Sequence, residues 1–69
     1  MTPMEIRHRR FVENMEDAGY QIQHYQGRDY YQGPAIFVDR SEFQDVVRAT
    51  KLPLVTDQMG KSGLVVYPG

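Results

Sequence analysis

Cysteine and tryptophan are both missing from this chain, and neither charge sign is in excess. Without cysteine there is no disulfide framework, no thiolate-ligated zinc and no thiol nucleophile, so the usual staples of a small secreted scaffold are excluded. Eight Lys and Arg against nine Asp and Glu leave a net charge of −1. A dedicated nucleic-acid binder normally carries a clear basic excess to displace counterions from phosphates, so that class is disfavoured. No run approaches the roughly 18 apolar residues of a membrane span, and no membrane partner is expected. Residues 1–18 interleave Glu5, Arg7, Arg9, Arg10 and Glu13 with apolar side chains. They leave no apolar stretch for a signal peptide, which makes the cytoplasm the expected compartment.

What is present suits one small folded unit. The chain has 69 residues, of which 41% are apolar and 12% aromatic, enough for collapse at near-zero net charge. A chain of this size buries only roughly 60% of the surface its unfolded form exposes, so a net stability of about 3 to 5 kcal/mol is expected. A single domain over residues 1–69 follows.

Thr2-Pro3-Met4-Glu5 reads as a helix start, with Thr2 as N-cap, Pro3 at the first helical position and Glu5 completing a capping box. Met4, His8, Phe11, Met15 and Ala18 then recur at helical spacing, with Val12 beside them, and Gly19 suits the position just past the end. From Tyr20 to Gln32 the period changes to two, and a turn at Gln26-Gly27-Arg28 predicts a hairpin whose second strand holds Asp29-Tyr30-Tyr31-Gln32. Gly33-Pro34 reads as punctuation before Ala35-Ile36-Phe37-Val38, a strand expected to be buried on both faces. Ser41, with Gln44 three residues on, predicts a second capped helix burying Phe43, Val46 and Val47 and ending before Pro53. Leu54 to Gln58 and Leu64 to Tyr67 complete the pattern as two strands around a glycine-bounded turn. The expected fold is α+β, two helices packed on a mostly antiparallel sheet of about five strands in the order α-β-β-β-α-β-β.

Few residues suggest chemistry. Gly60-Lys61-Ser62 has the ending of a phosphate-binding loop. The pattern fails because Val55 occupies the first glycine position and a strand, not a helix, follows. His8 and His24 are the only imidazoles, sixteen residues apart and unaccompanied by cysteine, so no metal site is expected. Asp39 and Asp57 are read as strand-ending residues where turns begin and Asp29 as the residue that follows a Gly-Arg turn, leaving no convergent acid-base pair. No catalytic residue and no cofactor are expected.

The distinctive composition is aromatic and polar: Tyr20, Tyr25, Tyr30 and Tyr31 among Gln21, Gln23, Gln26 and Gln32, with Arg28 between them. Because side chains alternate across a strand, Tyr31 faces water if Tyr30 faces the core. Exposed tyrosines beside an arginine have the make-up of protein-interface centres, whereas cross-strand tyrosine pairs can equally serve the sheet itself. The interaction reading makes Tyr25, Arg28, Tyr30 and Tyr31 the binding residues of a non-enzymatic module that docks on a larger protein, alone or as a homodimer. The alternative is an RNA or single-stranded nucleic-acid binder using Arg7, Arg9, Arg10 and Lys51 with the tyrosines as stacking surface. The two readings separate on whether the basic residues of the helices share a face with the tyrosines.

The stretch from His24 to Ala35, together with Gln44-Asp45-Val46-Val47-Arg48-Ala49-Thr50 and the closing Met59-Gly60 and Leu64-Val65-Val66-Tyr67-Pro68, resembles a family of small uncharacterised proteins from cyanobacteria and their phages. The resemblance carries over no activity and no site residue. It implies only a cytoplasmic, cyanobacterial or phage setting, where such small acidic proteins often act as accessory or regulatory partners of larger machinery.

Overall fold

The computed structural model describes residues 2–69, arranged as α1 (Pro3–Asp17), β1 (Gln23–Gln26), β2 (Gln32–Asp39), a 3-10 turn (Arg40–Glu42), α2 (Phe43–Thr50), β3 (Leu54–Met59) and β4 (Gly63–Pro68). The strands form one antiparallel sheet in the order β1-β2-β4-β3. The α+β class and two helices are as expected, but there are four strands where five were predicted.

The difference lies in Gly33-Pro34, which is strand interior and not a break. Antiparallel neighbours alternate between residues that exchange hydrogen bonds and residues whose N–H and C=O point away. Gly27 N–H donates to Tyr31 O across the hairpin, so in this register Tyr25 and Gly33 are a bonded pair while His24 and Pro34 are not. The missing N–H of Pro34 therefore costs β1 nothing. Its other side would face β4, where continuing the Ile36↔Val66 register brings Pro34 opposite Pro68. Neither proline can donate, so the β2–β4 ladder stops at Ile36, and β2 pairs with β1 over its first half and with β4 over its second. The expected strand residues Asp29, Tyr30 and Tyr31 belong to the hairpin loop instead.

Helix α1 starts at the predicted N-cap, with Thr2 Oγ1 accepting from Glu5 N–H at 3.2 Å, but among the described residues the Glu5 carboxylate does not return the bond that a capping box requires. The helix ends with Gly19 at a φ of +92°. Only the middle of its stripe is covered: Phe11 and Met15 are fully buried, whereas Met4 and Ala18 are exposed. The second cap moves from Ser41 to Asp39, whose carboxylate accepts from Ser41 N–H at 2.9 Å while Glu42 Oε2 accepts from Asp39 N–H at 3.2 Å. That reciprocal pair opens a 3-10 turn, and α2 follows with Val46 buried and the predicted core residue Val47 exposed. Asn14 Nδ2 donates to Thr50 O at 2.7 Å, tying the last turn of α2 to α1.

Both helices cover one face of the sheet, where Phe11, Met15 and Val46 pack on Ile36, Val38 and Val66. The opposite face has no helix residue in its core: Ala35, Val65 and Tyr67 are covered by Tyr31, with Tyr25 and Val55 at the margin. Phe37 also departs from expectation. It lies between buried Ile36 and Val38 but remains 39% exposed, because it points to the face that no helix covers.

Candidate functional site

The open face is organised around one carboxylate. Asp57 lies within β3, not at its end as predicted, and the register places it beside Val65, which pairs with Phe37. Its Oδ2 accepts from Tyr25 Oη at 2.9 Å and from Tyr67 Oη at 3.2 Å, while Oδ1 accepts from Arg28 Nε at 2.7 Å. The Asp57 side chain is 15% exposed and that of Arg28 is 67% exposed, so the ion pair sits at the rim with only its acidic half covered. Hydrogen bonding to Asp57, followed by burial, raises the pKa of the Tyr25 phenol, since ionisation would set two negative charges against each other.

Arg28 also closes the edge of the sheet. Gly69 N–H donates to Pro53 O, which fixes the bonded pairs of β3 and β4 as those of Val55, Asp57 and Met59. The C=O of Thr56 consequently points away from β4 at the sheet margin, where Arg28 Nη2 donates to it at 2.7 Å. The backbone N–H of Arg28 donates to Tyr67 Oη at 3.1 Å, so one residue of the β1–β2 loop bridges to both β3 and β4.

That loop reverses through Arg28–Tyr31, with Tyr31 N–H donating to Arg28 O at 3.1 Å. Its two central residues, Asp29 and Tyr30, adopt φ of +54° and +62°, the left-handed pair of a type I′ hairpin turn, which asparagine and glycine adopt far more readily than tyrosine. Of the two tyrosines, Tyr31 is the buried one and Tyr30 is fully exposed. Tyr31 stacks on Tyr67 at a centroid distance of 4.4 Å, meets His8 edge-on at 5.3 Å and donates its hydroxyl to Pro34 O at 2.6 Å. Burial, reinforced by neighbouring Tyr67, raises its pKa well above the ordinary phenol range. Tyr25 meets Phe37 edge-on at 6.0 Å and leans on Tyr67 at 5.6 Å. A depression of about 340 Å3 lies beside this cluster, between Arg28, Tyr31, Val55 and Tyr67.

Of the predicted binding residues, Tyr25, Arg28 and Tyr31 are gathered into one bonded cluster, and Tyr30 projects from its tip. Of the basic set only Arg7 comes near them, through Gly69, which lines the same depression as Arg28, Tyr31 and Tyr67. Arg10 is exposed on α1, Arg9 lines a groove beside β1, Arg7 Nη1 donates to Gly69 O at 3.0 Å, and Lys51 is exposed just past α2. Asp57, Tyr67 and Phe37 were not predicted as site residues. Alternation alone places Val55 and Asp57 on one side of β3 and Val65 and Tyr67 on one side of β4, but bringing the two sides together requires the register. Among the described residues no group of three or more His, Asp or Glu is assembled that could hold a metal ion. None of the helices described is long and apolar enough to cross a membrane.

With both Asp57 oxygens occupied by donors, the arrangement orients aromatic rings and holds a loop in place. Comparison with protein families, with curated proteins and with solved structures returns no match.

Proposed function

We propose that the chain is a non-enzymatic interaction module that docks on a larger cytoplasmic protein through the tyrosine face, with Tyr30, Phe37, Tyr25 and Arg28 as contacts. The observation that carries this reading is Tyr30, an aromatic side chain wholly in solvent on a residue with left-handed backbone. It contributes no core area, and its φ is one that tyrosine adopts at a cost of order 1 kcal/mol. Phe37 and Met59, both on the same uncovered face, add exposed apolar area beside it. Aromatic and arginine side chains on a pre-arranged surface are the usual anchors of protein interfaces. A nucleic-acid role would need the helix arginines beside the stacking tyrosines; α1 and α2 pack on the other face of the sheet, and of the α1 arginines Arg7 alone comes near the cluster, through Gly69.

The test is affinity capture from the native lysate with wild type, Tyr30→Ala, Phe37→Ser and Arg10→Ala, each checked for an unchanged circular dichroism spectrum. The expected result is a defined partner lost with Tyr30→Ala or Phe37→Ser and kept with Arg10→Ala. Retention by both aromatic variants would remove the tyrosine face from consideration.

A further inference from the structure

The two margins of the sheet are unequally protected. At β3 the outward C=O of Thr56 is occupied by Arg28, and Pro53 precedes the strand. At β1 nothing comparable is present among the described residues. The bonded pairs of the hairpin, Gly27 with Tyr31 and Tyr25 with Gly33, leave the N–H and C=O of His24 and Gln26 pointing away from β2. No strand pairs with β1 on that side among the described residues. Gln23–Gln26 is short, at four residues, but it carries no lysine and no proline, two common devices for discouraging strand addition.

Beside this margin runs a groove of about 650 Å3 between α1 and β1, lined by Val12, Ile22 and Pro34 with His8, Arg9 and His24. Its floor is apolar. One carboxylate, Glu13, offsets Arg9 there, so the groove has no strong charge preference. The Nε2 atom of His8 is buried without a hydrogen-bond partner.

We infer that β1 is a strand-addition site, on which an extended segment of a partner polypeptide pairs with His24 and Gln26 and sets apolar side chains, two residues apart, into the groove against Val12, Ile22 and Pro34. The occupant follows from the surface itself. Outward backbone groups in extended register demand a strand, because a helix has no backbone donors or acceptors to offer them. A second copy paired through the same edge would present His24 and Gln26 to the groove, two polar side chains against an apolar floor. A segment of alternating apolar character fits better. The groove lies on the helix side of β1 and the tyrosine cluster on the other, with Tyr25 and His8 at their shared margin. Variants at His24 and Val12 change the edge and groove without altering Tyr30, Phe37, Tyr25 or Arg28, so either reading can fail without the other.

The probe is a library of random decapeptides displayed on phage and selected on the wild-type chain, followed by synthesis of the most enriched peptide and titration against the isotopically labelled protein. Expected are apolar residues at alternate positions, amide shifts at His24 and Gln26, and at least a tenfold loss of affinity in both His24→Pro and Val12→Lys. His24→Pro removes an N–H that the β1–β2 ladder does not use, and its neighbour across the strands is already a proline. Should that variant fold poorly, a synthetic chain with an ester in place of the His24 amide removes the same donor and keeps the side chain. The inference is overturned if no sequence is enriched, or if the peptide binds these variants as well as wild type. It is likewise overturned if sedimentation shows a concentration-dependent dimer that His24→Pro abolishes, since the edge would then belong to a second copy.

Discussion

Replacing Asp57 by alanine removes the acceptor of three donors in a single step: the phenols of Tyr25 and Tyr67 and the guanidinium of Arg28. A hydrogen bond to a charged group contributes about 1.5 to 3 kcal/mol, and the 15% exposure of Asp57 places these bonds at the low end. Two phenol bonds then total about 3 kcal/mol by that scale. Tyr25 is only half-buried and regains water when its partner is lost, which returns about 1 kcal/mol. Tyr67 is 2% exposed and cannot do the same. The expected net cost is about 2 kcal/mol, a large part of the roughly 3 to 5 kcal/mol available to a domain this small. The Arg28 bond adds little, because that side chain stands mostly in water.

Thermal unfolding followed by far-ultraviolet circular dichroism reads this as a fall in Tm of about 8 to 16 °C, taking roughly 4 to 8 °C per kcal/mol for a domain of this length. Asp57→Asn should fall between alanine and wild type. It keeps one acceptor oxygen but can turn a donor toward Arg28 Nε. A double-mutant cycle of Asp57→Ala with Tyr67→Phe should give a coupling of about 1 kcal/mol, and added salt should leave that coupling intact. If Asp57→Ala lies within about 0.5 kcal/mol of wild type, the carboxylate does not hold the aromatic cluster together and the organisation described for this face is wrong.

Gly27→Ala would place a Cβ 2.6 Å from Cζ of Tyr67, a ring fixed by its stack on Tyr31, so a loss of about 1 to 3 kcal/mol is expected in urea unfolding. Changing Asp29-Tyr30 to Asn-Gly relieves two left-handed residues and should stabilise the chain by about 1 kcal/mol while abolishing partner capture, both measurable on one preparation. In alkali, the raised pKa values of Tyr25 and Tyr31 mean that the folded state retains protons that unfolded phenols release near pH 10. Stability is therefore fully present below about pH 10 and falls as the pH rises above it, which a series of urea titrations checks. In acid, the Asp39 carboxyl is held below its usual range by the hydrogen bond from Ser41. Its contribution is present above about pH 4 and disappears as the pH falls through the folded value, a step that Asp39→Asn should remove from the acid side of the stability profile.

The helices were legible because their signals are local. Thr2, Pro3 and Glu5 lie within one turn of each other, and the spacing of Phe11 to Met15 needs only its own turn to be interpreted. The strands were legible only where the pattern agreed with their pairing. Gly33-Pro34 looks like a break to any reading of local preference, and it ceases to be one only because Pro34 faces β1 at a non-bonded position and Pro68 on the other side. The cap at Asp39 lost out to Ser41 in the reading because Ser41 with Gln44 satisfies the same spacing rule as Asp39 with Glu42. Composition alone makes Asp57 a turn residue. Its role depends on Tyr25 and Arg28, about thirty positions earlier in the chain, and no periodicity within β3 carries that information.

The same long-range contacts bear on how the hairpin tip could bind. A loop with its ends tied only to each other would present Tyr30 in many directions, and ordering it on contact would cost about 0.5 to 1.5 kcal/mol for the side chain alone. Here the residues on either side of the turn centre are fixed from below. Arg28 is held through its backbone to Tyr67 and through its guanidinium to Asp57 and Thr56, while Tyr31 is stacked, buried and bonded to Pro34. The strained Asp29-Tyr30 pair is thus clamped between two anchored neighbours, and the anchors reach three strands. The carboxylate within β3 and the exposed tyrosine on the loop are consequently parts of one arrangement: Asp57 keeps the base rigid, and that rigidity gives Tyr30 a defined place from which to meet a partner.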